Sequence, residues 1–535
     1  MKKFRFILAL VLVLTMVLST PLMVFAKSWD VTDSAGVENA FATDTDDEVI
    51  INMQNDIVME NGVAANEGQN YTINGNGNTI SNVYIGGAGS VEVNADVTNE
   101  DNYAAMEVSG DASVTVNGDV DGGLVAYNST NVTVNGDVTG ESGNPDDVDY
   151  SDPWNFSDGG DAVSADDKAE VTVNGDVTGG DAYGTYGYAG DGVDAGGEAK
   201  VTVNGNVTGG SVTADPEVEV GSDEDSSGDI YYGESVAGAG VEINGEAAVI
   251  VTGDVTGGST NGDMGNGGEG IYAENTATVE VGGNVTGGDT TNGTAGAGIY
   301  TENATQITVG GDVTGGAATD GGESAPGIVA ESYGDYREDN EEGVEQGTVT
   351  VEGTVSGGDG AASIYFNAPE ELGEILEQLP DAEELTEKDP AEFADIDYFA
   401  LEGTLMAMME NGDLTEEELE KYQEEFENIN SQEEYIAFIQ QIIKDEMVQT
   451  VNLKELLVEN MDYSLITVGS VSEKNGPAYG SPAGEEFAKL MAEKHVTETA
   501  VTPNTGDGFN PMMVLAVALV SLMGVAALVF KKKAA

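Results

Sequence analysis

The heptapeptide Val114-Thr-Val-Asn-Gly-Asp-Val120 decides the fold, because the chain repeats it between residues 91 and 358. Val or Ile stands at its first, third and seventh positions in every copy, which predicts very short strands with one apolar face and a glycine turn. A strand this short buries little surface alone and needs an equivalent strand above and below it. The other copies begin at Val91, Val132, Val171, Val201, Val249, Val279, Ile307 and Val349.

Stacking of these copies predicts a solenoid, a parallel β-helix over residues 27–366. We expect the coils to be right-handed, because crossovers between parallel strands usually have this hand. Residues 34–42 are spaced as a short amphipathic helix that caps the first coil. The two following stretches, Asp47–Asn52 and Asn70–Ile80, resemble the first coils of pectin-lyase-like β-helix proteins. The resemblance implies the fold and no particular activity, because lyases, hydrolases and non-catalytic adhesins share it.

After residue 366 the apolar period changes from two to that of a helix, as in Leu372, Ile375, Leu376 and Leu379. We expect a helical insert or cap over residues 367–463. The stretch 464–471 returns to the repeat phrase and predicts one more solenoid strand. Residues 472–505 contain Gly, Pro and Thr with a short helical run, and they are predicted to be a stalk.

The two ends of the chain carry targeting signals. Residues 1–26 combine Lys2, Lys3 and Arg5 with an apolar run and end at Ala26, the pattern of a secretory signal peptide. Residues 512–530 are apolar or small and at ~1.5 Å per residue are long enough to span a bilayer core as one transmembrane helix. Residues 531–535 begin with three lysines, which predicts a basic cytoplasmic tail.

The segment before that apolar stretch reads Thr502, Pro503, Asn504, Thr505 and Gly506. This order of motif, apolar span and basic tail resembles the sorting signal of Gram-positive cell-wall-anchored proteins, whose pattern is LPxTG. The resemblance implies a sortase as partner, peptidoglycan as the attachment point, Thr505 as the attachment residue and a location on the cell surface. Thr502 stands where that family has Leu, and a simple C-terminal membrane anchor is the alternative.

Composition excludes several classes of function. The chain of 535 residues has 98 acidic and 17 basic residues, a formal net charge of −81, no Cys and one His. Such a charge excludes sequence-independent nucleic-acid binding, which needs Lys and Arg against phosphates. Without Cys and with His495 alone, zinc-thiolate sites, Cys nucleophiles and Ser-His relays are excluded as well.

Carboxylates suggest two cation sites. An acidic loop matches the calcium loop of EF-hand proteins position by position and makes calcium the candidate cofactor; its ligands would be Asp223, Asp225, Ser227, Asp229 and Glu234. Helices do not flank it, and a plain acidic loop is the alternative. The repeats also place Asp at the sixth position of most copies, and this column predicts either cation binding or turn capping.

Tyr272 and Tyr300 follow the inward apolar position of adjacent coils, so their rings are expected to face outward and stack. An exposed aromatic pair could bind a sugar, and packing against a loop is the alternative. The leading functional hypothesis is a wall-anchored adhesin or display protein that binds a host or glycan ligand through its loops. The alternatives are a secreted polysaccharide hydrolase, with no catalytic residue that the sequence identifies, and a structural cation-binding surface component.

Overall fold

The computed structural model describes residues 27–100, 104–148, 156–214, 223–224, 230–231, 235–263, 265–302, 304–331, 346–368, 437 and 463–499. The chain divides into two units, residues 1–498 and 499–535, and the described residues belong to the first apart from Thr499. The described part of this unit is mainly β and is built from parallel sheets in which each strand pairs with its equivalent in the next coil. The architecture is that of a parallel β-helix-like solenoid.

Sheet 1 has 24 strands in the described residues and contains the repeated heptapeptide. In most coils the first three residues of the phrase lie in a longer strand, and the seventh residue begins a two-residue strand after the turn. The longer strands are Lys27–Val31, Glu48–Met53, Asn70–Asn74, Ser90–Asn94, Ser113–Val116, Asn131–Val134, Glu170–Val173, Lys200–Val203, Ala248–Val251, Thr278–Val281, Gln306–Val309, Thr348–Ser356, Leu465–Val471 and Val496–Glu498. The short ones are Ile57–Val58, Ile80–Ser81, Val97–Thr98, Val120–Asp121, Val138–Thr139, Val177–Thr178, Val207–Thr208, Val255–Thr256, Val285–Thr286 and Val313–Thr314.

Sheet 2 has 12 parallel strands in the described residues, and most of them begin at an apolar residue eight positions before a copy of the heptapeptide, as Met106 does before Val114. Its strands are Val63–Ala65, Val83–Gly87, Met106–Val108, Leu124–Ala126, Val163–Ala165, Val193–Ala195, Val241–Ile243, Ile271–Ala273, Ile299–Thr301, Ile328–Glu331, Ile364–Asn367 and Tyr479–Gly480.

The pairing register places like residues over one another and confirms the stacking. Val114 pairs with Val132, and Val132 pairs with Val171. All three side chains are at most 1% exposed, so the first position of the phrase is a continuous buried column. Full burial of a valine stabilises the folded chain by roughly 1.5–3 kcal/mol, and the coils share this gain because each column is closed only by its neighbours.

The fourth position of the phrase forms an asparagine ladder in several successive coils. The amide of Asn135 donates to Asn117 Oδ1 at 2.6 Å, and Asn174 donates to Asn135 Oδ1 at 2.7 Å. The same bond joins Asn204 to Asn174 at 2.7 Å. An amide both donates and accepts, so one residue type can extend the ladder from coil to coil.

A side lobe stands on one edge of the solenoid, where the repeats differ in length. Its 4-stranded parallel sheet consists of Ala182–Tyr183, Val212–Thr213, Thr260–Asp263 and Thr290–Asn292. Ala182, Val212 and Ala237 form its own small core. The variable loops are therefore layered coil on coil near their base, which the sequence did not predict.

A glycine neck joins the side lobe to the solenoid. In each coil an outgoing limb leads from sheet 1 to the lobe, and a returning limb leads from the lobe to sheet 2. Gly210 and Gly258 lie on outgoing limbs, and Gly238 and Gly268 lie on returning limbs. Gly238 N–H donates to Gly210 O at 2.9 Å, Gly258 to Gly238 at 2.8 Å and Gly268 to Gly258 at 2.9 Å, so the limbs alternate in one hydrogen-bond ladder. A Cβ on Gly238 would lie 2.0 Å from Gly190 O. Successive coils are so close at the neck that only glycine fits there.

Two helices close the described solenoid. The helix Ser34–Thr43 begins at Asp33, whose carboxylate accepts from Gly36 N–H, and it buries Val37 and Phe41 against the first coils. The helix Glu485–His495 buries Phe487 and Met491 at the other end. A short 3₁₀-helix, Pro145–Asp147, lies in a loop.

The prediction of a stalk from residue 472 is wrong as far as Glu498. Tyr479–Gly480 pairs with Ile364–Asn367 in sheet 2, and Val496–Glu498 pairs with Leu465–Val471 in sheet 1. The helix between them supplies the apolar side chains that cover the last coil. The sequence hides this role because glycine and proline in the segment make it look like a linker.

Several predictions fall outside the described residues. These are the signal peptide 1–26, nearly all of the helical segment 367–463, and the C-terminal region with the sorting motif 502–506, the span 512–530 and the tail 531–535. Among the helices that the structure does describe, none is long and apolar enough to cross a membrane. The returning strand, Leu465–Val471, is described, and it pairs in parallel with Thr348–Ser356.

Candidate functional site

The outer face of sheet 2 meets the side lobe along a line that we call the seam. One outward-facing column of sheet 2 borders it, with Asp194 over Glu242, Tyr272 over Tyr300, and Val329 over Tyr365. The opposite border is the returning limb of the neck. The seam therefore has an acidic part in the earlier coils and an aromatic part in the later ones.

The acidic part brings together carboxylates that are far apart in sequence. Asp161 and Asp191 stand at the same place in successive coils, and Asp191 N–H donates to Asp161 Oδ1 at 2.8 Å. Ala239 N–H donates to Asp191 Oδ1 at 2.6 Å. Glu242, from the next coil, lies near enough for its charge to raise the pKa of Asp191.

Burial raises the pKa of these groups. Burial raises the pKa of Asp191 to about 9, and the charges of Asp161 and Glu242 add to the shift. Burial raises the pKa of Asp194 to about 6, again reinforced by Asp161 and Glu242. The pKa of Glu269 is also raised, first by burial and then by Glu242. A protonated carboxyl beside ionised ones is the arrangement that general acid–base chemistry uses.

Tyr272 and Tyr300 stack, with ring centroids 5.0 Å apart and 12° between the ring planes. Tyr272 Oη donates to Glu274 Oε1 at 2.5 Å, and Tyr300 Oη donates to Glu302 Oε1 at 3.2 Å and to Glu331. Both rings are partly buried. Sugar binding by this pair stays a prediction, and the structure gives the pair a fixed geometry.

A cleft of ≈ 550 Å³ opens in the aromatic part of the seam, with Tyr300, Val329 and Tyr365 on the sheet side. Its lobe side is built from small residues of the returning limbs, including Ala297 and Pro326. The other lining residues that matter for its chemistry are polar or acidic: Glu269, Thr294, Glu323, Ser324, Asn367 and Ser481.

The aspartate column of the repeats caps turns. Asp176 N–H donates to Asp137 Oδ1 at 2.8 Å, and Asn206 N–H donates to Asp176 Oδ1 at 2.7 Å. Asp254 N–H then donates to Asn206 Oδ1 at 3.0 Å, so Asn substitutes for Asp without breaking the ladder. Within the described residues no group of three or more Asp, Glu or His is arranged to hold a metal ion. These bonds favour the capping interpretation of the column.

The predicted calcium loop is described only in part. Asp223–Glu224 pairs antiparallel with Ile230–Tyr231, so these two short strands lie side by side. The other predicted ligands, Asp225, Ser227, Asp229 and Glu234, lie outside the described residues. Calcium binding at this loop stays a prediction.

Sequence reasoning did not find the cleft or the acidic cluster, because their members come from different coils. One signal was available. A glycine stands three residues before the sheet 2 strand in most of the later coils, as at Gly190, Gly238 and Gly268. This regularity marks the neck and hence the line along which the side lobe meets the sheet.

Comparison with protein families, with characterised proteins and with solved structures gives no significant match for this chain.

Proposed function

We propose that the chain is a secreted solenoid, anchored to the wall of a Gram-positive-type bacterium, that binds a host or environmental glycan in the seam. The observation that carries the binding proposal is the cleft beside a fixed tyrosine stack, since aromatic faces with nearby hydroxyl and carboxylate groups suit sugar rings. The proposal takes the coils as right-handed and the apolar stretch 512–530 as the transmembrane part of a sorting signal.

A glycan array with the full chain tests the binding proposal. We expect a restricted set of glycans to bind and expect Tyr300→Ala to lose them. Uniform failure to bind across the array would contradict it. The anchoring proposal has its own test, in which Thr505→Ala in a sortase-bearing host should release the protein from the wall fraction, and an unchanged wall fraction would contradict it.

Hydrolysis is the second candidate, and the clustering of Asp191 with Asp161 and Glu242, in which burial raises the pKa of Asp191, favours it. Most glycosidases use two carboxyl groups, one of which stays protonated as the acid. The acidic part of the seam adjoins the aromatic part, so a bound glycan could extend from one into the other. New reducing ends that disappear in Asp191→Asn would establish this activity, and binding without new reducing ends would exclude it.

Calcium at the acidic loop is proposed from the sequence pattern. Calorimetric titration of the full chain with calcium should show one site that Glu234→Gln weakens by tenfold or more, because the twelfth position normally supplies a bidentate carboxylate. A titration that Glu234→Gln leaves unchanged would remove the loop as a site.

A further inference from the structure

The aromatic part of the seam contains a slot between two tyrosines. Tyr300 pairs in register with Val329, and Val329 pairs with Tyr365. Coils repeat at ~4.8 Å, so the two rings stand about 10 Å apart along the column. Valine is much shorter than tyrosine, and all three side chains line the cleft. The missing ring at position 329 leaves room for a flat group between two aromatic faces.

Both walls of the slot are held in place. Tyr300 stacks on Tyr272 on its far side and donates a hydrogen bond to Glu331, which also accepts from Asn367 Nδ2 at 2.9 Å. Tyr365 packs on Gly480, where an added Cβ would lie 3.0 Å from Tyr365 Cδ2. Fixed walls lower the ordering cost of binding, which favours a built site over a chance gap.

The charges around the slot are of one sign. Glu269 and Glu323 line the cleft, and none of its described lining residues is Lys or Arg. Burial and the nearby charge of Glu323 raise the pKa of Tyr365. The raised pKa of Glu269 has burial and Glu242 as its causes. A cationic ligand would offset this repulsion, whereas an anionic one would add to it.

The size and polarity of the cleft point to an oligomer with hydroxyl groups. It extends from Glu269 to Gly480, four coil steps, which is roughly 19 Å at the spacing of parallel strands. Hydroxyls of Ser324 and Ser481 lie along it. A peptide backbone would find fewer hydrogen-bond donors in the cleft, because the N–H groups of the sheet bond to the next coil and Pro326, which lines the cleft, has no N–H.

We propose that this slot binds an oligosaccharide that carries free amino groups, with one sugar ring between Tyr300 and Tyr365 and its ammonium group near Glu323. The inference rests on the proposed glycan-binding function of the seam and specifies its ligand class. A ring of this kind uses the aromatic faces for stacking and cation–π attraction and uses the carboxylates as counter-charges.

The test is calorimetric titration of the full chain with four probes: a glucosamine oligomer, its N-acetylated counterpart, a galacturonate oligomer and oligolysine. We expect the glucosamine oligomer to bind at least tenfold more tightly than the N-acetylated one and the galacturonate oligomer not to bind. Val329→Tyr fills the slot with a ring that continues the tyrosine stack, so it should preserve the fold and weaken binding at least tenfold. Val125→Tyr, in the same column outside the cleft, is the matched control and should leave binding within twofold.

Each outcome tests one component of the proposal. Equal binding of the amino and N-acetylated oligomers would overturn the charge component and leave glycan binding intact. If Val329→Tyr and Val125→Tyr weakened binding equally, the slot would not be the binding site. Binding of oligolysine alone, lost in Val329→Tyr, would replace the sugar by a cationic peptide. Glu323→Gln should lower affinity for the glucosamine oligomer several-fold and leave the N-acetylated one unchanged, and no difference would contradict the role of Glu323.

Discussion

Replacing Gly268 by alanine tests whether the neck is as tight as its backbone contacts indicate. An added Cβ would lie 1.9 Å from Gly238 O. Non-bonded heavy atoms settle roughly 3.5 Å apart, so the returning limbs of the two adjacent coils would have to separate by more than about 1 Å. That movement would break the bonds of Gly268 N–H to Gly258 O, 2.9 Å, and of Gly288 N–H to Gly268 O, 2.7 Å.

Each buried backbone group left without its partner costs about 1–3 kcal/mol. Alanine also restricts the unfolded chain more than glycine does, which by itself stabilises the folded state by about 0.4–1 kcal/mol. We therefore expect Gly268→Ala to destabilise the neck by about 3 kcal/mol. Gly86→Ala is the matched control, because its nearest contact would be Ser109 Oγ at 3.3 Å, and it should change stability by less than about 1 kcal/mol.

Amide hydrogen exchange measures this effect locally, and urea unfolding followed by circular dichroism measures it for the whole chain. Faster exchange should be confined to the neck and the side lobe around Gly268, while the buried valines of sheet 1 keep their protection. If Gly268→Ala and Gly86→Ala had the same stability within 0.5 kcal/mol, the returning limbs of adjacent coils would not be in close contact and the neck would be wrongly described.

Three further predictions concern the carboxylates. Asp137→Ala should cost about 1 kcal/mol, because Asp176 N–H loses its acceptor, while Asp137→Asn should be nearly neutral; urea unfolding of both variants measures this. Burial raises the pKa of Asp194 to about 6, so protonation of its carboxyl group favours the folded state. Stability should therefore fall as pH rises from about 4 to about 6, by at most about 3 kcal/mol. Asp194→Asn should remove that fall in urea unfolding at several pH values. Calcium should not alter amide exchange around Asp137, and an alteration would contradict the capping interpretation.

The stacked sheets could be predicted because the information for them is local. The phrase beginning at Val114 alternates branched apolar residues with polar ones, and its copies are similar enough to set the register by themselves. The closing segment, residues 472–498, escaped prediction for the opposite reason. Its strands are two and three residues long, and Tyr479 pairs with Ile364 across 115 positions of chain, so no local pattern identifies it.

The cleft could not be predicted because it depends on what is absent from a column. Tyr300 and Tyr365 are visible as aromatic residues after an apolar position, but the slot exists only because Val329 separates them. The intervals between these three residues differ, since the loops differ in length. The pairing of coils, and not any spacing in the sequence, places them side by side.

The acidic surplus of the chain separates into two groups by hydrogen bonding. Column carboxylates such as Asp137 accept a backbone N–H from the next coil, and Asn206 and Asn284 do the same work without charge. The column therefore requires an acceptor and not a negative charge. Asp194 and Glu269 differ, because burial and neighbouring carboxylates dominate their surroundings and raise their pKa. Repulsion among these carboxylates destabilises the fold. A positively charged ligand would therefore bind more favourably at the seam, where it relieves this repulsion, than along the column, where the side chains already accept backbone hydrogen bonds.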